Sequence, residues 1–360
     1  MTIATQPPVR STVSLADDDH EQIVIRQDPE TGLRLIVAVH STVLGPALGG
    51  MRLRRYPGGL REALEDVMAL SRTMTLKASA AGLDLGGGKA VMIDDGRTGM
   101  REARLRAAAG VIDGLGGGYI TAEDIGTTTG DMDYLARFTR FAVGRSVEKG
   151  GGGDPSPVTA ETVFQAIVRG LDAATGSDEL DGRTVGIVGI GKVGYALGAK
   201  LADAGASVVA CDIEPGCCER FADEYGAEIA PSAEAIMAAS LDVLAPCAAG
   251  GMIDDALARS IDCRVVAGAA NNPLTSREVA RRLAARDILY VPDFLANCGG
   301  LIHVALEWHG SGGPDEQELI GRAMERLERA IEEAEAEAED STPLDVAERH
   351  ALERVEAARR

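Results

Sequence analysis

The chain has 360 residues, of which 45% are hydrophobic and only 3% aromatic, and it carries a formal net charge of −20. That length suits two domains, with cores resting on Ala, Val, Ile and Leu. So acidic a surface, with a pI near 4.7, argues against nucleic acid or an anionic membrane as a partner.

Residues 1–19 are polar, end in Asp17-Asp18-Asp19 and lack the apolar core of a secretory signal, so they read as disordered. No apolar run reaches the length of a membrane span, and a cytoplasmic protein is expected. The six cysteines are spaced for neither a zinc site nor a disulfide framework. Reduced thiols and no metal are therefore expected.

Gln22–Arg26 and Leu33–His40 are β-like, and Asp28-Pro29-Glu30-Thr31-Gly32 between them is turn chemistry, which predicts a hairpin. Gly45–Gly50 reads as a loop where backbone could approach a ligand closely. From Gly59 to Thr75 the residues Leu60, Leu64, Val67 and Met68 recur near helical spacing, which places Lys77 just past the helix end. Lys89 then opens a short strand over Ala90–Ile93. A second helix is predicted over Arg101–Leu115, and a strand over Gly118–Thr121. That strand runs into Ala122–Thr128, which puts Glu123 and Asp124 at a strand's C-terminal end, where open α/β sheets collect functional groups. Gly150–Gly153 reads as a hinge. Ser156 is the expected N-cap, and Pro157 the first residue, of a helix reaching about Ala174.

A strand over Thr184–Val188 leads into Gly189-x-Gly191-x-x-Gly194, then a helix, then the strand Ser207–Asp212. This is the dinucleotide fingerprint in its full context. Gly189 makes the tight turn, Gly191 admits the pyrophosphate, and Gly194 lets helix and strand pack closely. The helix N-terminus faces the phosphates. Lys192 and Val193 belong to the same turn, with Lys192 beside the phosphates or in solvent. Asp212 suits the adenine-ribose hydroxyls and repels a 2′-phosphate, which favours NAD over NADP. Further strands are predicted over 241–248, 264–272 and 288–293, followed by a turn and helix over 294–304. The C-terminal part reads as helical, with an acidic alternation over 333–339 and an N-cap at Thr342.

Lysine is scarce. Only Lys77, Lys89, Lys149, Lys192 and Lys200 occur among the 36 basic residues. Arginine stays charged, whereas a lysine can become a base when its surroundings depress its pKa. Lys77 and Lys89, twelve residues apart and the latter behind Gly86-Gly87-Gly88, are therefore candidates for chemistry. A phosphate-binding P-loop at Lys89 fails on spacing, because Leu83 and Ala90 stand where Gly and Ser or Thr are needed.

Several ordered stretches carry a resemblance. They are Gly45–Gly50, Met74–Lys77, Gly82–Val91, Tyr119–Thr128, Asp154–Thr159, the fingerprint, Ala245–Ala248, Ala267–Pro273 and Pro292–Gly300. In these the chain resembles the Glu/Leu/Phe/Val amino-acid dehydrogenases, most closely the leucine, valine and phenylalanine branch. The resemblance implies an α/β fold of two domains. These are an N-terminal substrate and catalytic domain over residues 1–149 and a Rossmann domain over 150–312, with helices over 313–360 returning to the first domain. It implies reversible, NAD-dependent oxidative deamination of an apolar L-amino acid to the 2-oxo acid and ammonia. It also implies a homo-oligomer assembled through the N-terminal domain.

By the same resemblance Lys77 pairs with the substrate carboxylate, Lys89 activates water, and Asp124 handles the amino group and its protons. Gly49 and Gly50 line the substrate backbone. Leu48, Ala122, Leu301 and Val304 line the side-chain pocket. Ala248, Asn271, Asn272 and Asn297 join the fingerprint in holding cofactor. The aliphatic pocket points to leucine, valine or isoleucine, with phenylalanine or tryptophan as the alternative. A non-catalytic NAD-binding regulator is the reading from another class. The chain departs from the branch at Met51 (usually Thr), at Cys298 (usually Ala), and at Leu306, where an acid usually precedes Glu307.

Overall fold

The computed structural model describes residues 19–96, 99–310, 315–337 and 341–360. The disorder expected for residues 1–19 therefore lies outside the described residues, except at Asp19, as does the end of the acidic alternation at 338–339. Asp19 itself is held, accepting hydrogen bonds from Arg72 and bonded to His40.

The front lobe is built on β1 (Gln22–Asp28), β2 (Leu33–Ser41), β3 (Ala47–Arg54), β4 (Gly86–Ile93) and β5 (Tyr119–Glu123), in the order β1-β2-β4-β3-β5. The β1–β2 hairpin forms around the predicted turn, where Asp28 accepts from the Glu30 amide. β2 pairs antiparallel with β4, while β3 lies parallel to both β4 and β5. Helices α1 (Gly59–Ala80), α2 (Arg101–Gly114) and α3 (Thr129–Leu135) complete the lobe.

Three local expectations are corrected. Ala47–Gly50 is strand and not loop, and β4 begins at Gly86, so Lys89 sits inside it. The glycines serve close packing. A Cβ on Gly49 would stand 1.8 Å from the Gly88 carbonyl oxygen, and one on Gly87 would stand 2.1 Å from the Thr75 amide of α1. Helix α1 also runs past Thr75, because buried Ala78, Ser79 and Ala80 continue it until the left-handed Gly82, φ +75°. Lys77 thus lies in its last turn.

The rear lobe follows with α4 (Ser156–Thr175), β6 (Thr184–Val188), α5 (Lys192–Asp203), β7 (Ser207–Cys211), α6 (Pro215–Tyr225), β8 (Glu228–Ile229) and α7 (Ala233–Met237). It continues through β9 (Val243–Pro246), α8 (Asp255–Ala258), β10 (Val265–Val266), α9 (Arg277–Ala284) and β11 (Leu289–Tyr290). The sheet order is β11-β10-β9-β6-β7-β8, and every pairing is parallel. The chain leaves β6 toward one edge and resumes at β9 toward the other, so the Gly189 turn stands at the switch point, where such sheets bind ligands. The last three strands are shorter than predicted. Helix α4 begins at Ser156 itself. Asp154, not Ser156, supplies the acceptor there, taking the Ser156 amide at 2.9 Å.

Helices α10 (Asp293–Ala296), α11 (Gly299–His309), α12 (Glu316–Ala336) and α13 (Pro343–Arg359) close the chain. Thr342 caps α13 through the Asp345 amide, as expected. α13 lies on α1, with Ser79 Oγ donating to the Ala351 carbonyl at 2.7 Å and Arg354 donating to the Leu83 carbonyl at 2.8 Å. α12 touches α4 through the Arg169–Glu328 pair at 2.8 Å. Among the described residues no helix is long and apolar enough to cross a membrane.

The Gly150–Gly153 run is bonded to α11. The buried Glu307 carboxylate accepts from the Gly144 amide at 2.8 Å, the Gly152 amide at 3.0 Å and Arg145 Nε at 2.9 Å. His303 Nε2 bonds the Gly152 carbonyl at 3.0 Å. Glu307→Ala strands these donors and is expected to cost about 2–4 kcal/mol. A lowered midpoint in urea denaturation checks this, and an unchanged midpoint contradicts it.

Candidate active site

Three charged groups from separate elements of the front lobe converge. Lys77 comes from the last turn of α1, Lys89 from the middle of β4, and Asp124 from the first residue past β5. Lys89 Nζ lies 2.7 Å from Asp124 Oδ2. The Asp124 loop is fixed by Thr127, whose Oγ1 accepts the Asp124 amide at 2.9 Å and donates to the Met51 carbonyl at 2.8 Å. Gly50 makes room for it. A Cβ there would lie 2.6 Å from the Glu123 carbonyl oxygen and 2.7 Å from Asp124 Cβ.

Asp124 has a second cationic partner that sequence reasoning missed. Buried Arg52, two residues past Gly50 on β3, donates from Nε to Asp124 Oδ2 at 3.2 Å and from Nη1 to Asp66 at 3.1 Å. Tyr56 donates its hydroxyl to the same Asp66 oxygen at 2.6 Å. Burial acts to raise the Asp124 pKa, but Lys89 and then Arg52 outweigh it, so the carboxyl is held below the usual range. The same carboxylates hold the Arg52 pKa up against burial. One arginine among many gives no local signal of this role; its place two residues past the double glycine is the only clue.

Lys77 Nζ reaches across the cleft to the rear lobe and donates to Asn271 Oδ1 at 2.8 Å. Burial, with a smaller push from Lys89, lowers its pKa to about 8, against the pull of Asp293 and Asp124. Asn297, buried on the rear side, donates to Asn271 Oδ1 at 3.2 Å and to the Ala269 carbonyl at 3.1 Å. The Asn297 Oδ1 is buried without a partner. Asn272 adopts φ +49° and gives its amide to Asp293 at 2.8 Å, so it shapes the turn through its backbone.

A cavity of about 240 Å³ opens over Lys77 and Lys89, and Asp124 is not part of its lining. It gathers Leu48, Gly49, Gly50, Lys77, Lys89 and Ala122 from the front with Asn271, Asn297, Leu301, Val304 and Val193 from the rear. Met74, Thr159 and Ala269 also line it without having been singled out. The departures at Met51 and Cys298 are fully buried packing residues outside the lining. Trp308 packs near Phe141, with ring centroids 6.0 Å apart.

The dinucleotide turn fits its expected group. Gly189 adopts φ +104°, and Ala248 abuts it, since a Cβ on Gly189 would lie 2.8 Å from the Ala248 amide. A Cβ on Gly194 would lie 2.0 Å from the Gly189 carbonyl oxygen, whereas one on Gly191 would meet nothing within 4 Å. Helix α5 starts at Lys192. Asp212 follows β7 and accepts the Ile190 amide at 2.7 Å. Lys192 opens α5 at this turn. It is mostly exposed but reaches over to Asp154 at 3.2 Å and to Glu123 at 3.8 Å.

Residues 20–141 match the family model described as Glu/Leu/Phe/Val dehydrogenase, dimerisation domain, and residues 214–360 match Glutamate/Leucine/Phenylalanine/Valine dehydrogenase. The chain is 42% identical to leucine dehydrogenase of Thermoactinomyces intermedius, over 87% of this chain and 82% of that one. It is 44% identical to valine dehydrogenase of Streptomyces virginiae, over 81% and 82%. The crystal structure of L-tryptophan dehydrogenase from Nostoc punctiforme superposes with TM-score 0.78 at 31% identity, covering 95% of this chain and 97% of that one. With both lobes matched in order and relatives aligned over most of their length, the chain belongs to the Glu/Leu/Phe/Val dehydrogenase family.

Proposed function

We propose that the protein oxidatively deaminates a branched-chain L-amino acid, using water and NAD and releasing the 2-oxo acid, ammonia and NADH. The observation that carries this reading is that Lys89, paired with Asp124 at 2.7 Å, and Lys77, tethered to Asn271 of the opposite lobe, line one cavity. The dinucleotide, when bound, accepts hydride from the substrate Cα. Lys77 pairs its ammonium with the substrate carboxylate, which can displace Asn271. Asp124 accepts a proton from the substrate ammonium. Lys89 takes a proton from the water that adds to the iminium carbon. Lys89 passes that proton to the carbinolamine nitrogen and takes up the hydroxyl proton as ammonia leaves and the 2-oxo acid forms.

Asp212, directly after β7, supports NAD over NADP, because an acid at that position would repel a 2′-phosphate. Leu48, Ala122, Leu301 and Val304 offer only aliphatic contact, which supports leucine, valine or isoleucine. The likeness to L-tryptophan dehydrogenase keeps an aromatic substrate as the second reading. Strand β1 forms one sheet edge, and Ile25 on it is 47% exposed, which supports a homo-oligomer assembled through the front lobe.

A spectrophotometric screen of amino acids with NAD and NADP tests the assignment. NADH formation with leucine, valine or isoleucine is expected; none with any amino acid contradicts it. Lys89→Ala should lose roughly 10²–10⁴-fold in kcat while dinucleotide still binds by fluorescence; full turnover would remove Lys89 from the mechanism. Since Lys77 must be charged to bind a carboxylate and its pKa is about 8, 4-methylpentanoate, which has no amino group, should inhibit less well as pH rises through that value. An inhibition constant flat from pH 7 to 9.5 would count against Lys77. Arg52→Gln removes one of the two cations that hold Asp124 ionised. The acid limb of kcat/KM should then move to higher pH, with Arg52→Lys restoring part of the shift; an unmoved limb would reduce Arg52 to packing.

A further inference from the structure

A second cavity, of about 470 Å³, lies between α12, α13 and the last turn of α1. Its charged lining is mostly basic: Arg326 and Arg329 from α12, and His350 and Arg354 from α13. Among the described residues one carboxylate, Glu353, lines it. Such a gathering is notable in a chain whose net charge is −20.

The pairing of these cations is incomplete. Arg354 is bound to Asp84 at 2.7 Å and His350 to Glu333 at 2.8 Å. Arg326 is half-buried, and its guanidinium lies against Gly82, where a Cβ would come within 2.5 Å of Nη1. It donates to the Arg322 carbonyl at 3.3 Å. Among the described residues no carboxylate lies within ion-pair distance of Arg326 or Arg329. Burial, and then Arg354, Arg322 and Arg329, push the Arg326 pKa down. A cluster that repels itself in this way gains from an anion. The planar guanidinium fork suits phosphate oxygens in particular, which it binds bidentately.

We infer that this cavity is a binding site for a phosphate group, either free or carried by a nucleotide. The site stands apart from the dehydrogenase cleft but shares its walls. Ser79 and Ala80 line it two and three residues after Lys77, and Leu295 lines it two residues before Asn297.

The test is calorimetric titration of the full chain in phosphate-free buffer at low salt. Saturating reduced dinucleotide keeps the Gly189 turn occupied. One arm uses inorganic phosphate and the other magnesium-free ATP. Binding of at least one probe with a Kd below about 1 mM is expected. Arg326→Gln should weaken it tenfold or more, and Arg259→Gln, on an α8 pair with Asp255 away from the cavity, should leave it unchanged. Glu353→Gln alters an exposed residue and should tighten binding several-fold, so the inference stays testable even if Arg326→Gln fails to fold. A response to phosphate marks a free anion, and a response to ATP alone marks a nucleotide. No heat with either probe overturns the inference, as does unchanged affinity in folded Arg326→Gln. A change of oligomer size in Arg326→Gln, with neither probe bound by the parent, overturns it in favour of an acidic group from a second copy.

Discussion

The site depends on how closely helix α1 lies on strand β4. Gly87 has no side chain, so the Thr75 amide sits where its Cβ would be. That contact sets the last turn of α1 over the strand that carries Lys89. Two amines twelve residues apart in sequence thereby face one cavity. Any side chain at Gly87 would lift the helix and carry Lys77 away with it. The same logic runs along β3, where Gly49 and Gly50 let backbone and the Asp124 loop crowd together. Glycine weakens a strand, and the cost is offset by the burial of β2 and β4 on both faces.

Gathering charge in so closed a space needs compensation. Asp124 answers two buried cations, Lys89 and Arg52, through one oxygen, and Arg52 in turn is shared with Asp66. A buried carboxylate with one partner would be costly; with two it stays ionised. Lys77 is the exception. Its hydrogen-bond partner is a neutral amide, and burial lowers its proton affinity. The group left short of negative charge is the one that would receive a carboxylate from outside. The partnerless Asn297 oxygen beside it is the matching feature on the rear lobe.

Much of this was legible beforehand. The fingerprint at Gly189, with its strands, helix and acid, could be read because each glycine answers a separate steric demand. Lys77, Lys89 and Asp124 could be singled out because lysine is rare here and the acid ends a strand. What was hidden is informative. Gly45–Gly50 looked like a loop because strand propensity counts glycine against a strand, and tertiary contact overrode it. Lys77 looked like a helix end because its apolar periodicity fades where α1 becomes buried on more than one side. Arg52 and Glu307 had no local signature, since their partners lie at sequence distances of 72 and 163 residues. Such pairings belong to the fold and not to any window of sequence.

Burial in the closed cleft gives Lys77 a proton affinity below that of an ordinary amine. With five lysines in the chain, ¹³Cε-lysine NMR can follow each through a pH titration, with Lys77→Arg assigning the signal. A Lys77 resonance with its midpoint near 8 is expected. A midpoint in the ordinary lysine range, about 10.4, would contradict it.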